Sequence, residues 1–183
     1  VTSPHEAPPP RNEFAAGWKV VTAGALGTMC GITAVPTFSL PAFVQPLSEE
    51  FGWSRAEIIA GAGLCSITVA LAAPFVGAAV DRYGARRVAL LSILGIAIGL
   101  ASVAVLTHAL IGFYAAFVLM TLLGAGTSPV TWTRTVNSWF ERQRGLALGF
   151  TLMGTGLFSA LGPAYVTWAI GEFGWRGGYL ALA

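Results

Sequence analysis

Four stretches of this chain carry no charge at all, those between Lys19 and Glu49, Glu57 and Asp81, Arg87 and Arg134, and Arg144 and Glu172. A single helix needs roughly 20 apolar residues to cross the hydrocarbon of a bilayer. The Arg87–Arg134 run is about twice that length, and its only polar break is Thr107-His108, so it predicts two helices with a turn between them. The pattern therefore predicts spans over about 18–44, 54–80, 88–106, 110–136 and 145–170, with a sixth beginning near Gly177 and cut off at Ala183. Transmembrane barrel strands are shorter and alternate in polarity, which these runs do not. The expected fold is an all-α polytopic membrane bundle, five complete helices and the start of a sixth, over residues 17–183. Residues 1–16, rich in proline and polar side chains, read as a disordered cytoplasmic tail.

Composition sharpens this picture. Apolar residues make up 55% of the 183 and charged ones 10%, against about 25% charged in a soluble domain. A net charge of +2, without a basic tract, argues against nucleic acid. The bilayer is the implied partner. Cys30 and Cys65 lie inside apolar runs and read as small packed residues. With only His5 and His108 beside them, no metal cluster or cofactor site is expected.

Charge placement sets an orientation. Arg11, Lys19, Arg82, Arg86, Arg87, Arg142 and Arg144 fall on one side and only Arg55 and Arg176 on the other. The positive-inside rule puts the N-terminus in the cytoplasm of a multi-pass protein of the plasma (inner) membrane. Trp18, Trp53, Trp139, Trp168 and Trp175 mark span ends, and Ser54-Arg55-Ala56-Glu57 reads as a capping box opening the second span. Gly24, Gly27, Gly31, Gly61, Gly63, Gly124, Gly126, Gly145, Gly149, Gly154 and Gly156 are expected to allow close helix contact. Pro36, Pro41, Pro74, Pro129 and Pro163 are expected to kink the spans. Glu50-Phe51-Gly52-Trp53 recurs as Glu172-Phe173-Gly174-Trp175, which reads as two interfacial turns under one constraint.

The strongest local motif is Gly77-Ala78-Ala79-Val80-Asp81-Arg82-Tyr83-Gly84-Ala85-Arg86-Arg87, between the second and third spans. Gly84 suits a tight turn, and Asp81 is placed to cap a helix or pair with arginines. This GxxxDRxGxRR pattern resembles the loop 2–3 signature of the major facilitator superfamily. Trp139-Phe140-Glu141-Arg142-Gln143-Arg144-Gly145-Leu146-Ala147-Leu148-Gly149 is similar to the pattern preceding that family's fifth helix. Phe51-Gly52-Trp53-Ser54-Arg55 and Gly174-Trp175-Arg176 resemble its monocarboxylate-transporter and oxalate/formate-antiporter branch. Ala85 stands where the commonest signature is basic, Gly162-Pro163 lacks the flanking glycines of the antiporter motif, and the first span holds no deep cation.

The resemblance implies the N-terminal half of a twelve-helix carrier whose C-terminal half is missing here. It implies a gating loop carried by Gly77, Asp81, Arg82, Gly84, Arg86 and Arg87, and a solute cavity lined by helices 1 and 4. On the fourth span Thr127, Thr131, Arg134 and Ser138 fall on one polar stripe; on the first, Thr22, Thr33 and Thr37 align more loosely. Hydroxyls that bond back to their own helix explain such threonines equally well. Arg134 has three open readings. It snorkels to the headgroups, it clasps Asp81 or Glu141, or its fork grips a carboxylate. The expected function is secondary active transport of a small solute, an organic anion such as a monocarboxylate, by alternating access. A carrier-like sensor is the rival, and so is a different substrate class. No enzyme chemistry is expected, because no histidine or carboxylate lies deep in a span and no nucleotide-binding loop occurs.

Overall fold

A computed structural model describes residues 13–183. The described residues form seven helices: α1 Glu13–Met29, α2 Val35–Phe51, α3 Arg55–Tyr83, α4 Ala85–Leu106, α5 Leu110–Gly124, α6 Pro129–Trp139 and α7 Arg144–Leu182. Four stretches are long and apolar enough to cross a membrane: Arg55–Tyr83, Ala85–Leu106, Leu110–Trp139 and Arg144–Leu182.

The expected first span, 18–44, is not one helix. It divides into α1 and α2, 17 residues each, with a tight turn at 30–34. Pro36 sits in the first turn of α2 and has no N–H to continue a ladder. Upstream, the backbone tightens into three-residue bonds, Ala34 N–H donating to Gly31 O at 3.0 Å. Towards its other end the helix runs through Pro41 and Pro46 and past 44, until Gly52 at φ 70° donates its N–H to Ser48 O. The start differs too. Residues 13–16 were expected in the tail, yet α1 opens at Glu13, whose carboxylate accepts the backbone N–H groups of Arg142 (3.1 Å) and Gln143 (3.2 Å). The rest of the expected tail, 1–12, lies outside the described residues.

The second and third spans follow expectation closely. Ser54 and Glu57 close the capping box on α3, and Gly84 at φ 84° separates α3 from α4. The expected fourth helix, 110–136, is broken in the middle. α5 ends at Gly124, Ala125–Thr127 tightens into a 3-10 turn, and Ser128 is extended at φ −60°, ψ 151° before Pro129. A residue preceding proline is pushed out of the helical region, which accounts for the break. α7 leaves helical geometry at Gly174 (φ 71°), so the last segment starts at Trp175 rather than near Gly177.

α1 and α2 run beside α7 in the same direction as far as Gly174, after which the last segment turns back along α2, Trp175 meeting Glu50 and Tyr179 stacking on Phe43. Gly24 meets Thr151, Gly154 packs on the backbone of Ala25, and Gly178 meets Phe43. Among the expected close-approach glycines, Gly27 lies against the Trp132 ring, Gly31 against Thr127 O and Gly124 against Ile96. Gly63, Gly145, Gly149 and Gly156 face open space instead, making no close contact among the described residues. The main buried cluster joins Phe43, Phe113, Phe117, Met120, Leu100 and Tyr179, and a smaller one joins Val21, Val136, Phe140 and Ala147.

The two Glu-Phe-Gly-Trp turns are one joined structure, not two separate ones. Both glycines are left-handed, at φ 70° and 71°. Phe51 stacks on Trp53 at 4.6 Å and meets Trp175 edge-on at 5.9 Å. The Glu50 carboxylate accepts from the Trp175 indole and, at 2.9 Å, from Arg176. These donors, the indole first, hold the Glu50 carboxyl below its ordinary range, against a smaller desolvation effect that raises it.

Candidate functional site

The helix breaks of the first and fourth spans lie against each other. Ile32, in the turn between α1 and α2, donates its N–H to Thr127 Oγ1 at 3.0 Å, and that hydroxyl donates to Gly124 O at 2.8 Å. The carbonyl of Thr127 accepts the Trp132 indole N–H at 3.2 Å. Thr127 is fully buried and lines none of the described clefts. The hydroxyl of this candidate ligand joins the two breaks.

Beside this junction lies a cleft of about 230 Å³ between α3, α6 and the 30–34 turn, lined by Thr33, Gly77, Ser128, Thr131 and Arg134. Three features mark it as a polar site in an apolar setting. Thr131 Oγ1 is buried and has no hydrogen-bond partner among the described residues. The first turn of α6, opened by Pro129, faces the same cleft, and a helix start carries partial positive charge, although Pro129 has no N–H and Thr131 donates its own to Ser128 O at 3.0 Å. Arg134, one helical turn further on, closes the cleft with its guanidinium.

Arg134 Nη1 pairs with Asp81 Oδ1 at 3.3 Å, so the motif of the second span meets the polar stripe of the fourth. Both side chains are largely exposed, at 53% and 74%. Gly77 lies beside the guanidinium, where an added Cβ would make ordinary contact at 3.9 Å from both Nη atoms. The contact uses one nitrogen of Arg134; among the described residues no protein acceptor meets Nη2 or Nε.

The other candidates scatter. Thr33 joins the cleft, but Thr37 lines a separate groove with Arg55 and Ser66. Thr22 and Ser138 bond back to Trp18 O and Thr135 O on their own helices. Arg82 lies over the Tyr83 ring at 5.4 Å, and Arg86 belongs to a separate groove on another face of α6. Ser128 was not anticipated at all. Ser128-Pro129 inside an apolar run was the available signal, because it forces a helix start at that depth.

The arrangement is that of a membrane transport protein, an apolar helical bundle with a small polar cleft beside two helix breaks. The chain belongs to the Major Facilitator Superfamily, whose sequence profile matches residues 16–183. This is a family of multi-pass transporters, not of enzymes. Among curated relatives, "Monocarboxylate transporter 11" of Mus musculus is 30% identical over 181 residues, covering 98% of this chain and 39% of the relative. The human protein of the same name is 30% identical, with 98% and 37% covered. An "MFS-type transporter" of Gibberella moniliformis (strain M3125 / FGSC 7600) is 29% identical over 178 residues, with 93% and 40% covered. The chain thus spans about two fifths of the length of the curated relatives it matches.

Proposed function

We propose that this chain is the N-terminal half of a twelve-helix secondary carrier that moves a small organic anion, a monocarboxylate, by alternating access. In this reading α1 and α2 form one bent span, α5 and α6 another, and α7 supplies the fifth span and the start of a sixth. The N-terminus faces the cytoplasm of a plasma membrane, and the other half of the carrier covers the cleft from the opposite side. The names of the mouse and human relatives support the substrate class.

The observation that carries the anion reading is the cleft itself. An unpartnered Thr131 hydroxyl, the start of α6 and the free edge of Arg134 converge there. Each favours negative charge, and a half-helix whose N-terminus opens at mid-membrane is the recurrent way carriers hold a substrate carboxylate. A carboxylate bound to the Arg134 fork would compete with Asp81 for the same guanidinium, linking occupancy of the cleft to the loop beside it.

The test uses the full-length protein in proteoliposomes, with radiolabelled L-lactate, pyruvate and neutral glucose. Saturable uptake of the two monocarboxylates and not of glucose is expected. Arg134→Lys keeps the charge but loses the planar fork, so KM for lactate should rise about 10-fold or more at normal expression. Glucose uptake without monocarboxylate uptake would overturn the substrate class. A wild-type KM in the lysine variant would remove Arg134 from the site.

A further inference from the structure

On another face of α6 from the solute cleft, a second groove of about 590 Å³ opens between α1, α4 and α6. Trp132 lines it, whereas Arg134 lines the cleft. At about 100° per residue, Thr131 and Arg134 face the cleft while Trp132 and Thr135 turn about a third of the way round the helix to face the groove. The groove has a volume typical of a small-molecule site, yet its chemistry is divided.

Two cations from different helices stand on it, Lys19 of α1 and Arg86 in the first turn of α4, both exposed. Neither has a carboxylate partner within 4.0 Å among the described residues, whose ion pairs are Arg134–Asp81 and Arg176–Glu50. Below them the walls are apolar, with Val20 and Ala23 on α1 and Leu90 on α4. Trp132 presents only ring surface, because its indole N–H is already donated to Thr127 O and its ring is fixed against Gly27. Arg86 lies two residues from the turn glycine Gly84, and Lys19 lies roughly 9 Å of helix rise above the start of α1 at Glu13. Both positions fit the headgroup level of a bilayer.

We propose that this groove binds one anionic glycerophospholipid, its phosphate held between Lys19 and Arg86 and an acyl chain lying along Val20, Ala23, Leu90 and the Trp132 ring. A small soluble anion would satisfy the cations and leave the apolar walls bare. A zwitterionic lipid would fill the walls and leave net positive charge at the rim. An anionic lipid matches both, and basic pockets between transmembrane helices are recognised sites for such headgroups. The proposal rests on the chain's place in a bilayer and not on the substrate, so either can fail without the other. The lipid would also press on α6 beside the solute cleft, at the ring that donates to Thr127.

The test is native mass spectrometry of the full-length protein in detergent, titrated with palmitoyl-oleoyl phosphatidylglycerol or with phosphatidylcholine of the same chains. One tightly held phosphatidylglycerol is expected, with phosphatidylcholine and free glycerol phosphate failing to compete. Lys19→Gln combined with Arg86→Gln should weaken the lipid roughly 30-fold, from the contribution of two interfacial cations. The conservative pair Lys19→Arg and Arg86→Lys should retain it. Arg142→Gln, an exposed cation at the same end of the bundle but outside the groove, should change nothing. Undiminished binding in the double glutamine variant would overturn the proposal. So would equal loss in Arg142→Gln, or equal binding of phosphatidylcholine or of glycerol phosphate.

Discussion

Replacing Gly154 by alanine adds one methyl group and should loosen the whole bundle. The added Cβ would stand 2.5 Å from Thr28 Oγ1 and 2.7 Å from the carbonyl carbon of Ala25, with the carbonyl oxygen closer still. Non-bonded heavy atoms rest at about 3.5–4.0 Å, so roughly 1 Å of separation is required. Ala25 contributes backbone, not a side chain that can swing away, so α1 and α7 must move apart as units. Overpacking of this kind costs about 1–3 kcal/mol. The movement also strains the hydrogen bond from Thr28 Oγ1 to Thr151 O, 2.7 Å long and buried, worth about 0.6 kcal/mol on average between membrane helices. The expected loss is therefore about 2–4 kcal/mol. Gly156→Ala provides the control, because nothing lies within 4 Å of its added Cβ. Better helix propensity should make that variant neutral or more stable by up to about 1 kcal/mol. Thermal unfolding of the purified full-length proteins, followed by the loss of helical circular dichroism, gives the comparison. Equal melting temperatures for the two variants would refute the claim that Gly154 sets the α1–α7 distance.

Three further outcomes are expected. Asp81→Asn removes an exposed ion pair worth about 0.2–1 kcal/mol, enough to shift the balance of conformers by up to about fivefold; exchange rates should fall while substrate affinity changes by less than twofold, and an unchanged rate would end the gating role proposed for this loop. The Glu50 carboxyl, held low by the Trp175 indole and Arg176, contributes stability that is present above its unfolded pKa and lost as pH falls through the lower folded value; melting temperature should therefore drop on acidification below the ordinary carboxylate range, and Glu50→Gln should be less stable at neutral pH and lose that component of the pH dependence. Single cysteines placed at Glu49 and Glu172 should react with an impermeant thiol reagent applied outside, and those at Arg86 and Gln143 should not; outside labelling at Arg86 would reverse the orientation.

Helix positions were legible in the chain because lipid leaves few alternatives for a long charge-free run. The start of α3 at Ser54 and the turn at Gly84 were legible for a different reason, since capping chemistry and left-handed geometry are local. The helix breaks at 30–34 and 125–128 were not, because hydropathy averages over a window and sees no interruption where the residues stay apolar. Proline marked both places, yet Pro74 and Pro163 stand inside continuous helices, so proline alone did not distinguish a kink from a break. The same limit applied to the glycines. Gly154 and Gly156 look alike in sequence, and only the position of α1 separates a tight contact from open space. Thr131 and Arg134 fall together in the cleft with Thr33, whereas Thr127, drawn on the same stripe of an unbroken helix, lies at the break between α5 and α6.

The junction at Thr127 means that the first and fourth spans do not bend independently. One hydroxyl accepts from a peptide of one span and donates within the other, at 3.0 and 2.8 Å, and the carbonyl of the same residue anchors Trp132. A displacement of α6 by about 1 Å would stretch such contacts past hydrogen-bonding range, leaving a buried peptide N–H unpaired unless the 30–34 turn follows. Thr127 thus acts as a linkage pin between two levers. A solute drawing on the start of α6 would tug on the first span without touching it.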